Sequence, residues 1–290
     1  MPELPEVEGV VRELAPAVEG KTIKKVEFSN TVYESCAAGK QCIVKNLEPS
    51  YFEEAMQDML IKKVTRRSKY IFFDVEKNHQ LFKFVNHLGM TGAWFVVAKL
   101  EEIHEEKFRR HVHAVFTLDT GELLVFSDIR RFGEMRLLTN LEDHPPLLEM
   151  APEPFETSAC EYFLEKCSLP KYHQKPIKEV IMDGQVISGC GNIYATEALF
   201  KMGIHPARKV NRISKERKVQ LFETIRDILR ESIENGGSTI SDYRNINGEA
   251  GGMQHRLKMY GKKQCGVCGS NTKSLVIGGR TSVYCPQCQH

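Results

Sequence analysis

The sequence predicts an α+β protein of two domains, a strand-rich N-terminal half behind an amphipathic helix and a helical C-terminal half closed by a four-cysteine hairpin. Three observations predict it. Short apolar runs dominate residues 21 to 140, helical periodicity takes over after a proline-rich break, and two Cys-x-x-Cys pairs stand near the C-terminal end.

Val7, Val10, Val11 and Leu14 fall at helical spacing, with Pro5 suited to a first turn and Gly20 closing the segment, so a helix covers about residues 5 to 17. Strands follow at Ile71 to Val75, Leu81 to Val85, Trp94 to Val97, Val112 to Leu118 and Leu123 to Phe126, the last two joined by a turn at Asp119-Thr120-Gly121. Residues 1 to 140 thus read as an antiparallel sandwich or barrel. Pro145, Pro146, Pro152 and Pro154 make residues 141 to 156 an interdomain linker. Helices are expected near 158 to 167, 175 to 183, 192 to 203 and 214 to 234. The last shows Val219, Phe222, Ile225, Leu229 and Ile233 ahead of Gly236-Gly237. Gly184 to Asn192 is too rich in glycine for a helix, which gives a helix, a double turn and a helix within a domain of residues 157 to 260.

Residues 261 to 290 form the last module. Cys265-x-x-Cys268 and Cys285-x-x-Cys288 are separated by 16 residues, room for a hairpin with strands at Leu275 to Ile277 and Ser282 to Tyr284 around Gly278-Gly279. Two thiolate pairs at this spacing hold one tetrahedral zinc. Nothing resembles an open coordination position, so the zinc is structural. Arg280 sits at the hairpin tip, where a guanidinium faces a phosphate or a groove.

The 290 residues are 41% hydrophobic and 27% charged, enough for a well-buried core, and no apolar run is long enough to span a bilayer. The acidic N-terminus lacks the pattern of a signal peptide, so the cytoplasm is the expected compartment. Of nine cysteines, Cys36, Cys42, Cys160, Cys167 and Cys190 lack metal-ligand spacing and read as small, unpaired, buried residues. A net charge of +2 does not announce a polyanionic partner. Local clusters do: Lys62, Lys63, Arg66, Arg67 and Lys69; Lys107, Arg109, Arg110 and His111; Arg130 and Arg131. Beside a zinc module they point to nucleic acid.

The opening Pro2-Glu3-Leu4-Pro5-Glu6, the segment Arg66-Arg67-Ser68-Lys69-Tyr70, the double turn ending Gly191-Asn192-Ile193-Tyr194 and the C-terminal module together resemble the formamidopyrimidine-DNA glycosylase family, from residue 2 to residue 289. The resemblance implies an N-terminal β-sandwich, a helix-two-turn-helix domain and a zinc finger. It also implies a bacterial, nucleoid-associated, monomeric repair enzyme acting on double-stranded DNA with an oxidised base. Such an enzyme removes oxidised purines such as 8-oxoguanine and then cuts the abasic strand.

By that resemblance Pro2 is the nucleophile, and its chemistry suits the task. An α-amino group has a pKa of about 7.7 to 8.0 against about 10.4 for lysine, so near neutrality far more of it is unprotonated. A secondary amine condenses to a permanently charged iminium, an electron sink for β,δ-elimination. Removal of Met1 is required. Glu3 stands where a carboxylic acid could protonate the ribose ring or the leaving group, Glu6 supports the same network, and Lys69 completes the implied catalytic set.

A base excised from a duplex must be flipped out and the vacancy filled. The positions matching the family's wedge are Met90, Arg130 and Phe132, with Arg130 expected to pair with the orphaned base. Phosphate and duplex contacts are implied for His87, Lys178, Asn192 and Arg280 as well as Lys69. Residues 238 to 253, including Ser238, Tyr243, Arg244, Asn245, Gly248, Gly251 and Gly252, have the composition of a lid over the extruded base. Gly184 and Ala151 depart from the family pattern, in the double turn and the linker. Two alternatives stay open: an oxidised-pyrimidine enzyme of the endonuclease VIII class, against which Leu4 and Met90 speak, and a catalytically silent lesion-binding protein, against which Pro2, Glu3 and Lys69 speak.

Overall fold

The computed structural model describes residues 2–238, 246 and 251–290. The chain forms two compact units, Met1–Leu148 with Gly236–Gly252 and Glu149–Asn235 with Met253–His290.

In the first unit α1 (Leu4–Val18) buries Val7, Val10, Val11 and Leu14, the stripe its periodicity announces. Then follow β1 (Ile23–Phe28), α2 (Asn30–Ala37), α3 (Pro49–Met56), β2 (Leu60–Arg67), β3 (Tyr70–Lys77), β4 (Gln80–His87), β5 (Gly92–Val97), a short α4 (Glu106–Arg109), β6 (Val112–Leu118), β7 (Leu123–Asp128) and β8 (Glu134–Leu138). They make two open antiparallel sheets, β1-β6-β7-β5 and β2-β3-β4-β8, so the unit is a sandwich and not a barrel. Aromatic rings knit the sheets together: Phe84 lies 5.6 Å from Phe116 and 6.2 Å from Trp94, and Phe52 and Phe73 pack on the same cluster. The buried Trp94 indole donates to Asn86 Oδ1, leaving no orphan polar group at the centre of this stack.

The second unit holds α5 (Ala159–Cys167), α6 (Pro170–His173), α7 (Ile177–Ile181), α8 (Asn192–Lys201) and α9 (Lys215–Glu234), then the hairpin β9 (Lys273–Ile277) and β10 (Arg280–Tyr284). Phe163 stacks on Phe222 between α5 and α9, and the Tyr194 hydroxyl meets Ser232 Oγ at 2.6 Å between α8 and α9. No described helix is long and apolar enough to cross a membrane.

Three features differ from the sequence reading. Cys36 and Cys42 are not unpaired but joined in a disulfide, because a tight turn after α2 returns the chain until their Cα atoms are 5.3 Å apart. The described residues between Gly236 and Gly252 group with the sandwich unit, although the sequence reading put them with the helices: the Ser238 N–H donates to Glu6 and the Ile246 N–H to Glu13. Several members of the basic clusters are paired with acids. Lys62 faces Glu76, Arg66 is buried against Glu8, and Lys107 and Arg110 face Glu105 and Glu106.

Candidate functional site

The N-terminal residues are held in place. Pro2, Glu3 and Glu6 are buried. Pro5 opens α1 without wasting a hydrogen-bond donor, and Glu6 at the third helical position closes a capping box, its Oε2 accepting the Glu3 N–H at 2.8 Å. Its Oε1 accepts the Ser238 N–H at 2.7 Å, and Gly237, at φ 77°, lies so close that an added Cβ would stand 3.1 Å from the Glu6 side chain. Both Glu6 oxygens therefore hold backbone, fixing the start of the chain.

Lys69 follows Ser68, whose φ of 54° turns β2 into β3, and leaves the lysine half-buried beside His87 at the end of β4. Burial first, and the Lys69 charge second, bring the His87 pKa down to about 4 against a partial opposing pull from Glu134. The Gly89 N–H donates to His87 Nδ1 at 3.1 Å, so the neutral ring carries its proton on Nε2 and can donate from there.

The three expected wedge residues come together. Met90 lies in the turn after β4, and Arg130 and Phe132 lie in the loop after β7, the guanidinium 4.8 Å from the centre of the 42% exposed Phe132 ring. The loops are in backbone contact: a Cβ at Gly89, φ 62°, would fall 2.4 Å from the Phe132 carbonyl carbon. A residue the sequence reading passed over locks them. Asp128, fully buried, accepts from the Thr91 hydroxyl and from the Arg130 N–H through Oδ1, and from the Gly133 N–H at 2.7 Å through Oδ2. One carboxylate thus ties the Met90 turn to both ends of the Arg130–Phe132 loop. The only sequence signal was an acid next to the Arg-Arg-Phe run.

In the second unit Asn192 starts α8, where free amides favour an anion, and its Nδ2 donates to the Thr281 carbonyl at 3.1 Å. That bond fastens the double turn to β10 next to exposed Arg280, which follows Gly278 and Gly279 at φ 54° and 71°, a turn that only glycines make without strain. Lys178 is fully buried and donates to Thr196 Oγ1 at 2.8 Å, so its amine lies against the first turns of α8 and not on open surface. The departures Ala151 and Gly184 meet each other: the Ala151 N–H donates to the Gly184 carbonyl, and a Cβ added at Gly184 would stand in open space. Of the expected lid residues, Tyr243, Arg244, Asn245 and Gly248 lie outside the described residues.

Cys265, Cys268, Cys285 and Cys288 place their sulfurs within 4.8 Å of one another, Cys265 and Cys288 at 3.9 Å and Cys268 and Cys285 at 3.5 Å. A tetrahedral zinc with bonds of about 2.3 Å needs sulfurs about 3.8 Å apart, so the quartet fits one ion with no coordination position left over. Glu197 of α8 accepts the N–H groups of Lys258, Met259 and Tyr260, anchoring the chain as it enters the finger. Gln289 bridges Cys285 N–H and the Ile204 carbonyl.

Exposed arginine and phenylalanine on rigid loops suit the opening of a base stack, and a metal-braced arginine suits a strand's phosphates; these are the working parts of a base-excision DNA glycosylase. Comparison with known proteins makes this specific. The family models for the formamidopyrimidine-DNA glycosylase N-terminal domain, its H2TH domain and the zinc finger found in FPG and IleRS match residues 1–135, 150–244 and 262–290. The formamidopyrimidine-DNA glycosylase of Bacillus licheniformis is 35% identical over all of this chain and 99% of its own length. Among solved structures, a Lactococcus lactis FPG mutant in complex with Fapy-dG DNA superposes with a TM-score of 0.83 at 29% identity, covering 99% of each chain. The wild-type L. lactis Fpg with an oxidised-pyrimidine DNA superposes at 0.82, with the same identity and coverage. The chain belongs to the formamidopyrimidine-DNA glycosylase family. It is a DNA glycosylase and abasic-site lyase of base-excision repair with one structural zinc, which removes the catalytically silent alternative.

Proposed function

We propose that the enzyme excises oxidised purines, 8-oxoguanine and formamidopyrimidines, through a Schiff base at Pro2. With Met1 removed, the Pro2 nitrogen attacks C1′ of the damaged nucleotide while Glu3 gives a proton to the ribose or the departing base. The resulting iminium acidifies C2′; loss of that proton expels the 3′ phosphate, and a second elimination expels the 5′ phosphate. Lys69 and the His87 Nε2–H hold phosphate oxygens near the reacting sugar. Met90, Arg130 and Phe132 fill the vacated stack, and Asn192 and Arg280 hold backbone phosphates, with Lys178 supporting the α8 N-terminus from beneath. The protein acts on duplex DNA as a monomer, in the cytoplasm at the nucleoid.

The observation carrying this reading is the double use of Glu6, which fixes buried Pro2 and Glu3 by holding Glu3 and Ser238 backbone at once. Borohydride trapping tests it. Processed protein should form a covalent adduct that maps to Pro2, and a processed protein that never traps on duplex containing 8-oxoguanine or a formamidopyrimidine sinks the reading. The L. lactis complex with an oxidised pyrimidine keeps one second reading in view, a wider range that includes pyrimidine lesions. A panel of lesion duplexes separates the two.

A further inference from the structure

We infer that the Cys36–Cys42 disulfide positions the duplex-probing loop, so that excision from duplex DNA responds to the redox state of this pair. The inference rests on the reading that Arg130 and Phe132 enter the duplex.

Between those two residues stands Arg131, in the left-handed region at φ 56°. Its Nη1 donates to the Ser35 hydroxyl at 2.7 Å. Ser35 is buried in the last turn of α2, and Cys36 is the next residue. The helix closes with a Schellman turn: the Lys40 N–H donates to the Ser35 carbonyl at 2.9 Å and the Gly39 N–H to the Cys36 carbonyl at 3.0 Å, with Gly39 at φ 61°. The chain then reaches Cys42 and Ile43. The Ile43 carbonyl accepts the Met135 N–H at 2.7 Å, and the Lys45 N–H donates to the Met135 carbonyl at 3.1 Å. Residues 35 to 45 therefore grip the chain at Arg131 within the probing loop and again at Met135 in β8 just beyond it, on either side of Phe132, and the disulfide joins the segment between its two grips.

Helix α2 has eight residues, too few to be stable alone. The cross-link restrains its last turn by closing a small ring. Reduction lets that turn fray, Ser35 leaves its place, and Arg131 loses its fixed acceptor. Asp128 still holds the loop from within, so the enzyme stays folded and the wedge loses precision instead of disappearing.

The bond can form and break where it stands. Cys36 is half-buried and residues 37 to 41 are exposed. A thiolate from one cysteine attacks a low-molecular-weight disulfide, releasing one small thiol; the second cysteine's thiolate attacks the mixed disulfide and releases the other. Two protein thiols lose two protons and two electrons, and the small disulfide is reduced to two thiols.

The test uses the full zinc-loaded chain, equilibrated with oxidised or reduced glutathione, with metal content and the states of Cys36 and Cys42 read by mass spectrometry. Two activities are compared: excision of 8-oxoguanine from duplex under single turnover, and borohydride trapping on a preformed abasic site in single-stranded DNA, which offers no stack to fill. Reduction is expected to slow duplex excision about three- to tenfold, the effect of one lost hydrogen bond, and to leave single-strand trapping unchanged. Cys36→Ser/Cys42→Ser should behave like the reduced protein under both conditions. Ser35→Ala should show the same defect when oxidised and no further response to reduction. Equal duplex rates with the pair shown to be converted, equal loss on both substrates, or a pair that glutathione disulfide never oxidises would each overturn the inference. Phe132→Ala separates the two levels: if it excises from duplex like the unmodified chain, the wedge reading itself fails; if it is impaired while redox state has no effect, only the role of the disulfide fails.

Discussion

At Gly89 the chain has no room for a methyl group and a φ of 62° besides. Gly89→Ala must push the Phe132 backbone away, which should cost about 2 kcal/mol or more of stability, read by denaturant unfolding, and slow duplex excision. Glu3 makes a different prediction. If it supplies the proton that lets the base leave, Glu3→Gln should slow excision by about a hundredfold or more, while trapping on a preformed abasic site, which needs no leaving base, persists. His87 has a signature in pH. Its folded pKa of about 4 lies below the ordinary 6.5, so across that window the unfolded chain binds the proton first and stability falls as pH falls. His87→Gln should flatten that part of the stability curve.

The elements were legible in the sequence to different degrees. Strands such as Val112–Leu118 and helices such as Lys215–Glu234 announce themselves because one face is buried and the other is wet, so composition repeats what burial requires. Helix α2 and strand β2 did not. The α2 sequence buries only Val32 and Ser35, and an irregularity between Ile61 and Lys63 breaks the alternation of β2. The disulfide was hidden because five spare cysteines without metal spacing allow many pairings, and only the turn after α2 selects one. For the site, motif residues were readable but their supports were not: Asp128 acts through backbone N–H groups, which every sequence has. Its amide is expected to show this. Asp128→Asn turns an acceptor into a donor facing either Gly133 N–H or the Thr91 hydroxyl, which should destabilise the protein by about 1–3 kcal/mol and impair duplex excision more than single-strand trapping.

For the whole molecule, the charge is nearly balanced at +2, so DNA affinity cannot come from bulk attraction. Many of its cations are already paired, Arg66 with Glu8 and Arg110 with Glu106 among them. Where the remaining cations stand then matters more than how many there are, and Arg280 stands exposed at the hairpin turn. Arg280→Ala should weaken binding uniformly across sequences and reduce the slope of affinity against salt by about 1, with zinc still bound. Cys265→Ala or Cys288→Ala should abolish tight binding, whereas the amine chemistry proposed for Pro2 has no need of the metal. The Asn192–Thr281 hydrogen bond carries this further. If Asn192 and Arg280 hold phosphates as proposed, it links the metal ion and the nucleic acid: whatever factor zinc contributes to duplex affinity, a bound duplex must return to zinc affinity. A competing chelator should therefore strip the ion less readily from the enzyme on DNA than from the free enzyme, by that same factor, and Asn192→Ala should shrink both halves of the exchange together.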